Sequence, residues 1–189
     1  QLQAAGIDPP QKHMCNSGGS DWFRASFCNA VRIGRRLYMD NQAEPLTPGT
    51  PGAVQEACSW RASVTNLRVV EAGDTVGYDA AWTAPRRTRV ATVCVGYGDG
   101  LYYPLAEAGG PLLVGEQRAR LLATCMDQCF VDVTDIPCRA GDEVTFFGQS
   151  SGGAAMPIQE LGKFMHVEGV YFYSFLSPRV ARVYEGLEP

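Results

Sequence analysis

The sequence predicts a mainly β protein, in which a C-terminal β-barrel or sandwich-like domain follows a few short βα elements. Two observations predict this class. The run Pro45–Gly52, rich in proline and glycine, separates two parts of different character. Beyond it, apolar β-prone segments recur at short spacing with tight turns between them, which is typical of a small closed or sandwiched β domain. We therefore predict one domain at residues 1–45 and a second at residues 46–189.

The first domain has the pattern of the last βα units of a (β/α)8 barrel. Lys12–Cys15 predicts a short strand that opens into the loop Asn16–Gly19, and Ala30–Tyr38 predicts a second strand and turn. Short strands that end in loops rich in Asn, Ser and Gly are typical of such barrels. Because these residues supply too few strands to close a barrel, we expect the tail of a truncated one.

The second domain is predicted to be built from strands, with one helix near its end. The predicted strands are Trp60–Val70, Arg89–Val95, Pro111–Val114, Arg120–Cys125, Cys129–Val133, Glu143–Phe147 and a final strand over Tyr171–Tyr184. Gly73-Asp74 and Gly141-Asp142 mark tight turns before strands. Ile158–Met165 predicts the helix, because its apolar residues recur at helical spacing behind a proline.

Composition excludes several classes of function. The net charge of −4 and the scattered arginines argue against a nucleic-acid partner. No apolar run approaches the roughly 20 residues that cross a bilayer. The N-terminus lacks the basic and apolar regions of a signal peptide. Since it also lacks an initiator Met, we expect the chain to start inside a longer protein.

The seven cysteines show no metal-ligand spacing. Cys125 and Cys129 lie four residues apart, but neither of the two histidines is near them in sequence. Buried, reduced thiols in a reducing cytoplasm are the favoured interpretation, and a zinc site is the alternative. We therefore predict no metal.

Five segments of the chain carry a resemblance to a known family. In chain order they are His13–Ser17, Val31–Tyr38, Gly73–Tyr78, Gly96–Gly100 and Cys125–Gln128. One Gly-Tyr-x-Asp-Gly loop is common in proteins, but five segments in family order are not expected by chance. Together they resemble the C-terminal half of a pyridoxal-phosphate (PLP) alanine racemase. The resemblance implies that residues 1–45 are the tail of its PLP-binding barrel and residues 46–189 its C-terminal β domain.

The resemblance implies a cofactor site in the first domain. The position of Arg32 hydrogen-bonds the pyridine nitrogen of PLP in the family, and an arginine keeps its proton near neutral pH. The ring nitrogen then stays unprotonated, which favours proton exchange at Cα over other PLP reactions. Asn16, Ser17, Gly34 and Arg35 form a candidate phosphate cup, and in the family the position of Ser17 and the backbone around those of Gly34 and Arg35 hold the phosphate. Without the resemblance, these residues would be a barrel-rim arginine in a salt bridge and an ordinary turn.

The resemblance also implies catalytic and substrate-binding residues. Tyr78 matches the tyrosine that is the second acid/base and that reaches into the partner subunit's site, whereas a tyrosine in a strand-like run is otherwise usually core. Tyr97 matches a tyrosine at the substrate entrance. Met126 matches the methionine whose backbone contacts the substrate carboxylate. The alternative interpretation of Met126 is a methionine of the hydrophobic core. His13 is expected to orient its neighbours, and His166 to be a half-exposed surface residue.

The chain departs from the family pattern at the cofactor lysine. Its only lysines are Lys12 and Lys163, and neither stands where the family has the lysine that carries PLP. The barrel strands that supply other cofactor contacts are missing as well. We therefore expect this chain alone to be inactive.

Further departures concern the substrate pocket. Val170 aligns with a family tyrosine that touches the cofactor phosphate, unless Tyr171 takes that role. Tyr103 and Ala123 align with two arginines at the family's substrate entrance. A wider and less charged pocket would accept serine beside alanine.

The leading hypothesis is a fragment of a racemase that interconverts L- and D-alanine, or serine, through a PLP aldimine with two acid/base groups. The product would supply peptidoglycan. The resemblance implies a cytoplasmic homodimeric parent with an upstream barrel or a membrane domain. A non-catalytic β module used for dimerisation or protein interaction is the alternative. An oligonucleotide-binding β domain is disfavoured by the acidic charge.

Overall fold

The computed structural model describes residues 2–23, 28–38 and 56–186. The chain forms two compact units, Gln1–Cys58 and Ser59–Pro189. The predicted domain boundary between residues 45 and 46, and the connector Pro45–Gly52 that motivated it, lie outside the described residues. That boundary stays a prediction.

The first unit contains a short helix between two segments that run parallel. The helix α1, Ser17–Trp22, begins after Asn16, whose side chain accepts a hydrogen bond from the Gly19 N–H at 2.9 Å. On either side of it, His13 and Ala30 form a parallel bridge. The predicted strands Lys12–Cys15 and Ala30–Tyr38 are thus reduced to this one bridge, since two short parallel segments have no third strand among the described residues to extend the ladder. A 3-10 turn follows at Arg35–Leu37.

The second unit consists of strands with three short helices. Its strands are β1 Trp60–Val70, β2 Thr75–Val76, β3 Trp82–Thr83, β4 Thr88–Val93, β5 Pro111–Val114, β6 Gln117–Thr124, β7 Cys129–Asp132, β8 Glu143–Gln149 and β9 Ala155–Met156. Its helices are α2 Tyr103–Glu107, α3 Ile158–Met165 and α4 Val170–Phe175. Single 3-10 turns lie at Tyr78–Ala80 and Tyr97–Asp99.

The main sheet closes on itself. Its strand order is β1-β4-β7-β6-β5-β8-β9, and β1 also pairs with β8. The strand β1 is long enough to serve both neighbours, because its first part pairs with β8 and its second part with β4. All these pairings are antiparallel. The prediction of a mainly β protein with a closed β domain is confirmed.

A hairpin outside the barrel is fixed by its own apolar cluster. The strands β2 and β3 pair through Val76 and Trp82, and Val76 is 2% exposed. They pack with Ala84 against Leu122 and Ala123 of β6 and against Phe130 of β7. Burying such side chains stabilises the arrangement by roughly 1.5–3 kcal/mol for each large one. The turn between β2 and β3 is therefore held on a rigid support.

The end of the chain differs from its prediction. The final strand predicted over Tyr171–Tyr184 is wrong: Val170–Phe175 is helical, and no regular element follows in the described residues up to 186. Aromatic residues favour strands, but Phe172 is buried, and Phe175 stacks on Tyr102 at 4.9 Å between ring centroids. These two rings lie three residues apart, which places them on one face of a helix. The predicted helix Ile158–Met165 is confirmed.

Within the part of the chain that the structure describes, no helix is both long and apolar enough to span a membrane.

Candidate active site

Arg32 and His13 form a hydrogen-bonded pair in the first unit. Nη1 of Arg32 donates to Nδ1 of His13 at 2.6 Å and to the His13 carbonyl at 3.3 Å. Because a guanidinium only donates, Nδ1 must accept, and His13 carries its proton on Nε2. The Arg32 side chain is exposed. Its position fits an arginine that is held at one edge and offers its remaining N–H groups to a ligand.

Ser17 and Gly34 form a second contact in the same unit. The Gly34 N–H donates to Oγ of Ser17 at 3.1 Å, and Ser17 is 7% exposed. Since this hydroxyl oxygen already accepts a hydrogen bond, its own O–H can still donate one to a ligand. The structure thus brings together two members of the predicted phosphate cup, and Arg35 follows Gly34 directly. Asn16, the fourth member, instead caps α1.

Tyr78 lies on the turn between β2 and β3, and its side chain is 59% exposed. The backbone around it is unusual, because Gly77, Asp79 and Ala80 all have positive φ angles of 86°, 52° and 57°. Such conformations are strained for residues other than glycine and are enriched at functional sites. The interpretation of Tyr78 as a core residue is excluded by its exposure.

Tyr97 and Met126 are held together by their main chains. The Tyr97 N–H donates to the Cys125 carbonyl at 3.0 Å, and the Gly98 N–H donates to the Met126 carbonyl at 2.8 Å. Both side chains point outward, since Tyr97 is 42% and Met126 is 49% exposed. Met126 is therefore not a core residue.

Cys125 connects these residues to the turn of Tyr78, a role that the sequence did not indicate. Burial raises the pKa of its thiol, and the nearby Tyr78 backbone N–H opposes part of that rise. Cys125 thus accepts a hydrogen bond from the Tyr97 N–H and packs in the same buried cluster as Val76, two residues before Tyr78. The structure brings Tyr78, Tyr97 and Met126 together around the end of β6.

The cysteine prediction holds in part. All seven cysteines lie in the described part of the chain and are reduced, but only Cys15, Cys125, Cys129 and Cys138 are buried. Burial raises the pKa of the Cys129 thiol well above its usual range. Among the described residues, no three His, Cys, Asp or Glu side chains cluster as metal ligands would.

The remaining predicted positions differ in their surroundings. Tyr103 is 44% exposed and meets Tyr97 edge-on at 6.0 Å, whereas Ala123 is only 3% exposed. Tyr171 is 52% exposed and lines a hollow of about 220 Å³ next to Tyr102 and Phe175. His166 is exposed, as expected of a surface residue, and ends α3 with a positive φ of 55°.

The two lysines of the chain have different surroundings. Lys12 forms an ion pair with Asp8, and Lys163 is an exposed residue in the last turn of α3.

The second unit is a closed antiparallel β domain that presents Tyr78, Tyr97 and Met126 near the end of β6. A family model described as the C-terminal domain of alanine racemase matches residues 57–184. The alanine racemase of Desulforamulus reducens is 32% identical over 188 residues, which cover 98% of this chain and 49% of that protein. The chain belongs to the alanine racemase family, as the five sequence segments predicted.

Solved structures agree with this assignment. The biosynthetic alanine racemase from Pseudomonas aeruginosa matches with a TM-score of 0.79 and 34% identity, covering 97% of this chain and 50% of that one. The alanine racemase from Bartonella henselae with covalently bound pyridoxal phosphate matches with a TM-score of 0.79 over 96% of this chain and 48% of its own. At 24% identity, the Bartonella likeness shows the fold alone. The chain spans about half the length of the relatives that it matches.

Proposed function

We propose that the parent of this chain is a PLP-dependent racemase that interconverts L- and D-alanine, accepts serine as well, and supplies D-amino acid for peptidoglycan. The observation that carries the proposal is the exposed phenol of Tyr78 on a turn fixed by a buried cluster. Racemisation requires acid/base groups on both faces of Cα, and Tyr78 is proposed to move the proton at one face. The other face needs a lysine that this chain lacks.

The residues of the first unit fit parts of PLP. The exposed guanidinium of Arg32, held by His13, is a donor of the kind that a pyridine nitrogen accepts. The proton of the Ser17 hydroxyl, the neighbouring backbone N–H groups and the cation of Arg35 suit a phosphate dianion. When bound, PLP supplies an electron sink that makes the Cα proton of an amino acid acidic. Arg32 would orient the ring, and Ser17, with Gly34 and Arg35, would hold the phosphate.

Met126 and Tyr97 are proposed to bind the substrate next to Tyr78. The main chain of Met126 lies beside the loop of Tyr97, and both are joined to the Tyr78 turn through Cys125. This arrangement would place a carboxylate near Met126 while the phenol faces Cα. In the proposed homodimer, these three residues serve the site of the partner subunit.

The proposal that serine is accepted has its support in the side chains around the Tyr97 loop. The exposed ring of Tyr103 meets that of Tyr97 edge-on, and Ala123 is buried. Neither side chain carries a positive charge. Val170 begins α4 without a hydroxyl. An apolar, roomier pocket discriminates poorly against one added hydroxyl, by about 10²-fold.

The test is Tyr78→Phe in the full-length parent. Deuterium exchange at Cα is measured separately from L-alanine and from D-alanine. We expect exchange from one enantiomer to fall by about 10²–10⁴-fold, as for loss of a positioned general base, and exchange from the other to change far less. Tyr184→Phe is the matched control, because Tyr184 is 73% exposed and lies outside the site group. Equal, small effects in both directions would show that Tyr78 is structural.

A further inference from the structure

Asp99 is a buried carboxylate with matched partners. The residue is 9% exposed, and its Oδ2 accepts a hydrogen bond from the Gly96 N–H at 2.9 Å. Its Oδ1 lies 3.3 Å from Nε of Arg179. A buried carboxylate requires such partners, because removing one leaves an uncompensated charge. Asp99 therefore closes the loop Gly96–Gly100 and joins it to the segment that follows α4.

That loop lies between two backbone segments. On one side, Tyr97 and Gly98 donate to the carbonyls of Cys125 and Met126. On the other side, the Ser177 N–H donates to the Asp99 carbonyl at 3.0 Å. The Arg179 guanidinium packs on Gly98, since a Cβ there would lie 3.1 Å from its Nη1 and 2.8 Å from the Met126 carbonyl oxygen. The loop of Tyr97 is thus fixed from both sides.

We propose that Asp99 and Arg179 form a positioning pair that holds the loop of Tyr97 on the Met126 segment and thereby sets substrate binding. The proposal rests on the racemase function proposed above. Neither residue needs to touch the substrate, because Asp99 faces its own loop and Arg179 faces Asp99 and Gly98. Since Arg179 follows α4, the pair also connects that helix to the loop of Tyr97.

The test uses the full-length parent with Arg179→Met, Arg179→Lys, Asp99→Asn and the double variant Asp99→Asn/Arg179→Met. We expect Arg179→Met to lower kcat/KM for alanine by up to about 100-fold, mainly through KM, as when a positioning group shifts by about 1 Å. Arg179→Lys should restore part of the loss. The double variant should lose less than the sum of its single changes, because the two residues are coupled.

Arg139→Met is the matched control, because Arg139 and Asp142 form an ion pair of the same kind with the arginine 89% exposed. It should leave KM unchanged. An equal rise of KM in this control would overturn the proposal, since the effect would then follow from charge alone.

A second readout, amide hydrogen exchange of the same variants, does not depend on activity. Exchange should become faster at Tyr97 and Gly98 in Arg179→Met and stay slow across β7, which reports that the barrel is intact. If exchange across β7 also becomes fast in Arg179→Met, the barrel of that variant is not intact. The exchange rates at Tyr97 and Gly98 in wild type and in Arg179→Lys then test the positioning role. Unchanged exchange or unchanged KM in an active parent overturns the positioning role. Faster loop exchange in a parent that racemises nothing, wild type included, refutes the racemase proposal and overturns the inferred effect on substrate binding.

Discussion

Replacing Gly77 by alanine should destabilise the protein more than any ordinary Gly→Ala change. Gly77 has φ 86° and ψ 178°, a region that is essentially restricted to glycine and costs roughly 1–3 kcal/mol for other residues. Its added Cβ would lie 2.9 Å from Cβ of Ala123 and 3.2 Å from Cβ of Ala81. Overpacking of this kind costs about 1–3 kcal/mol. The sum is about 2–6 kcal/mol, which is large against a total stability of about 5–15 kcal/mol.

Gly73→Ala separates the two contributions, because it lies before the same hairpin. Gly73 has a similar φ of 92°, but nothing lies within 4 Å of its added Cβ. It should therefore lose only the backbone part. Urea unfolding followed by circular dichroism measures both free energies. Adding Ala123→Gly to Gly77→Ala should recover part of the loss by removing the nearer contact. Equal losses for Gly73→Ala and Gly77→Ala would show that the contact with Ala123 adds nothing to the destabilisation.

Three further predictions concern the cofactor, the substrate and acid stability. This chain with PLP should not racemise alanine, and borohydride should trap no PLP adduct on it; racemase activity before reduction together with a trapped adduct at Lys12 or Lys163 would contradict the assignment. In the parent, Val170→Tyr should shift preference from serine toward alanine, within the range of about 10–200-fold set by one small group; an unchanged ratio would mean that this alignment is wrong. Glu143→Gln should lower the free energy of unfolding near pH 7 but not in strong acid. Although burial raises the pKa of Glu143, hydrogen bonds from Ser151 outweigh it and lower the pKa overall.

The sign of the Glu143 effect follows from linkage. A carboxyl whose pKa is lower in the folded state stabilises the fold above its unfolded pKa, near 4.3 for glutamate, and loses that contribution as the pH falls through the folded pKa. Urea unfolding of the wild type and of Glu143→Gln from pH 7 to strong acid measures the difference between their free energies of unfolding. A difference that stays constant down to the lowest pH would contradict a role for the ionised carboxylate.

The barrel strands were predictable from the sequence, and the hairpin that carries Tyr78 was not. Pro111–Val114 and Ile158–Met165 agree with their elements residue for residue, because apolar periodicity and flanking Gly or Pro mark such segments. The strands β2 and β3 have two residues each, too few to show a period. The helix α4 was missed because its aromatic residues favour a strand, and only its packing on Tyr102 decides otherwise.

The candidate site was predictable in its residues but not in its connections. The family resemblance singled out Tyr78, Tyr97 and Met126, whose roles remain predictions. Cys125 packs in one cluster with Val76 of the Tyr78 hairpin and bonds the Tyr97 loop, which are distant in sequence, so no local pattern contains this connection. The same holds for Asp99 and Arg179.

The glycines of Gly96–Gly100 explain why so short a motif was informative. A Cβ at Gly96 would lie 2.3 Å from the Cys125 carbonyl oxygen, and one at Gly100 would lie 2.3 Å from that of Phe175. The spacing of the glycines therefore matches the points at which the loop meets neighbouring backbone. Tyr97 and Asp99 alternate with them, so that one side chain is exposed and the other is buried. A larger residue at Gly96 or Gly100 must move the loop off its support, and the exposed phenol of Tyr97 with it.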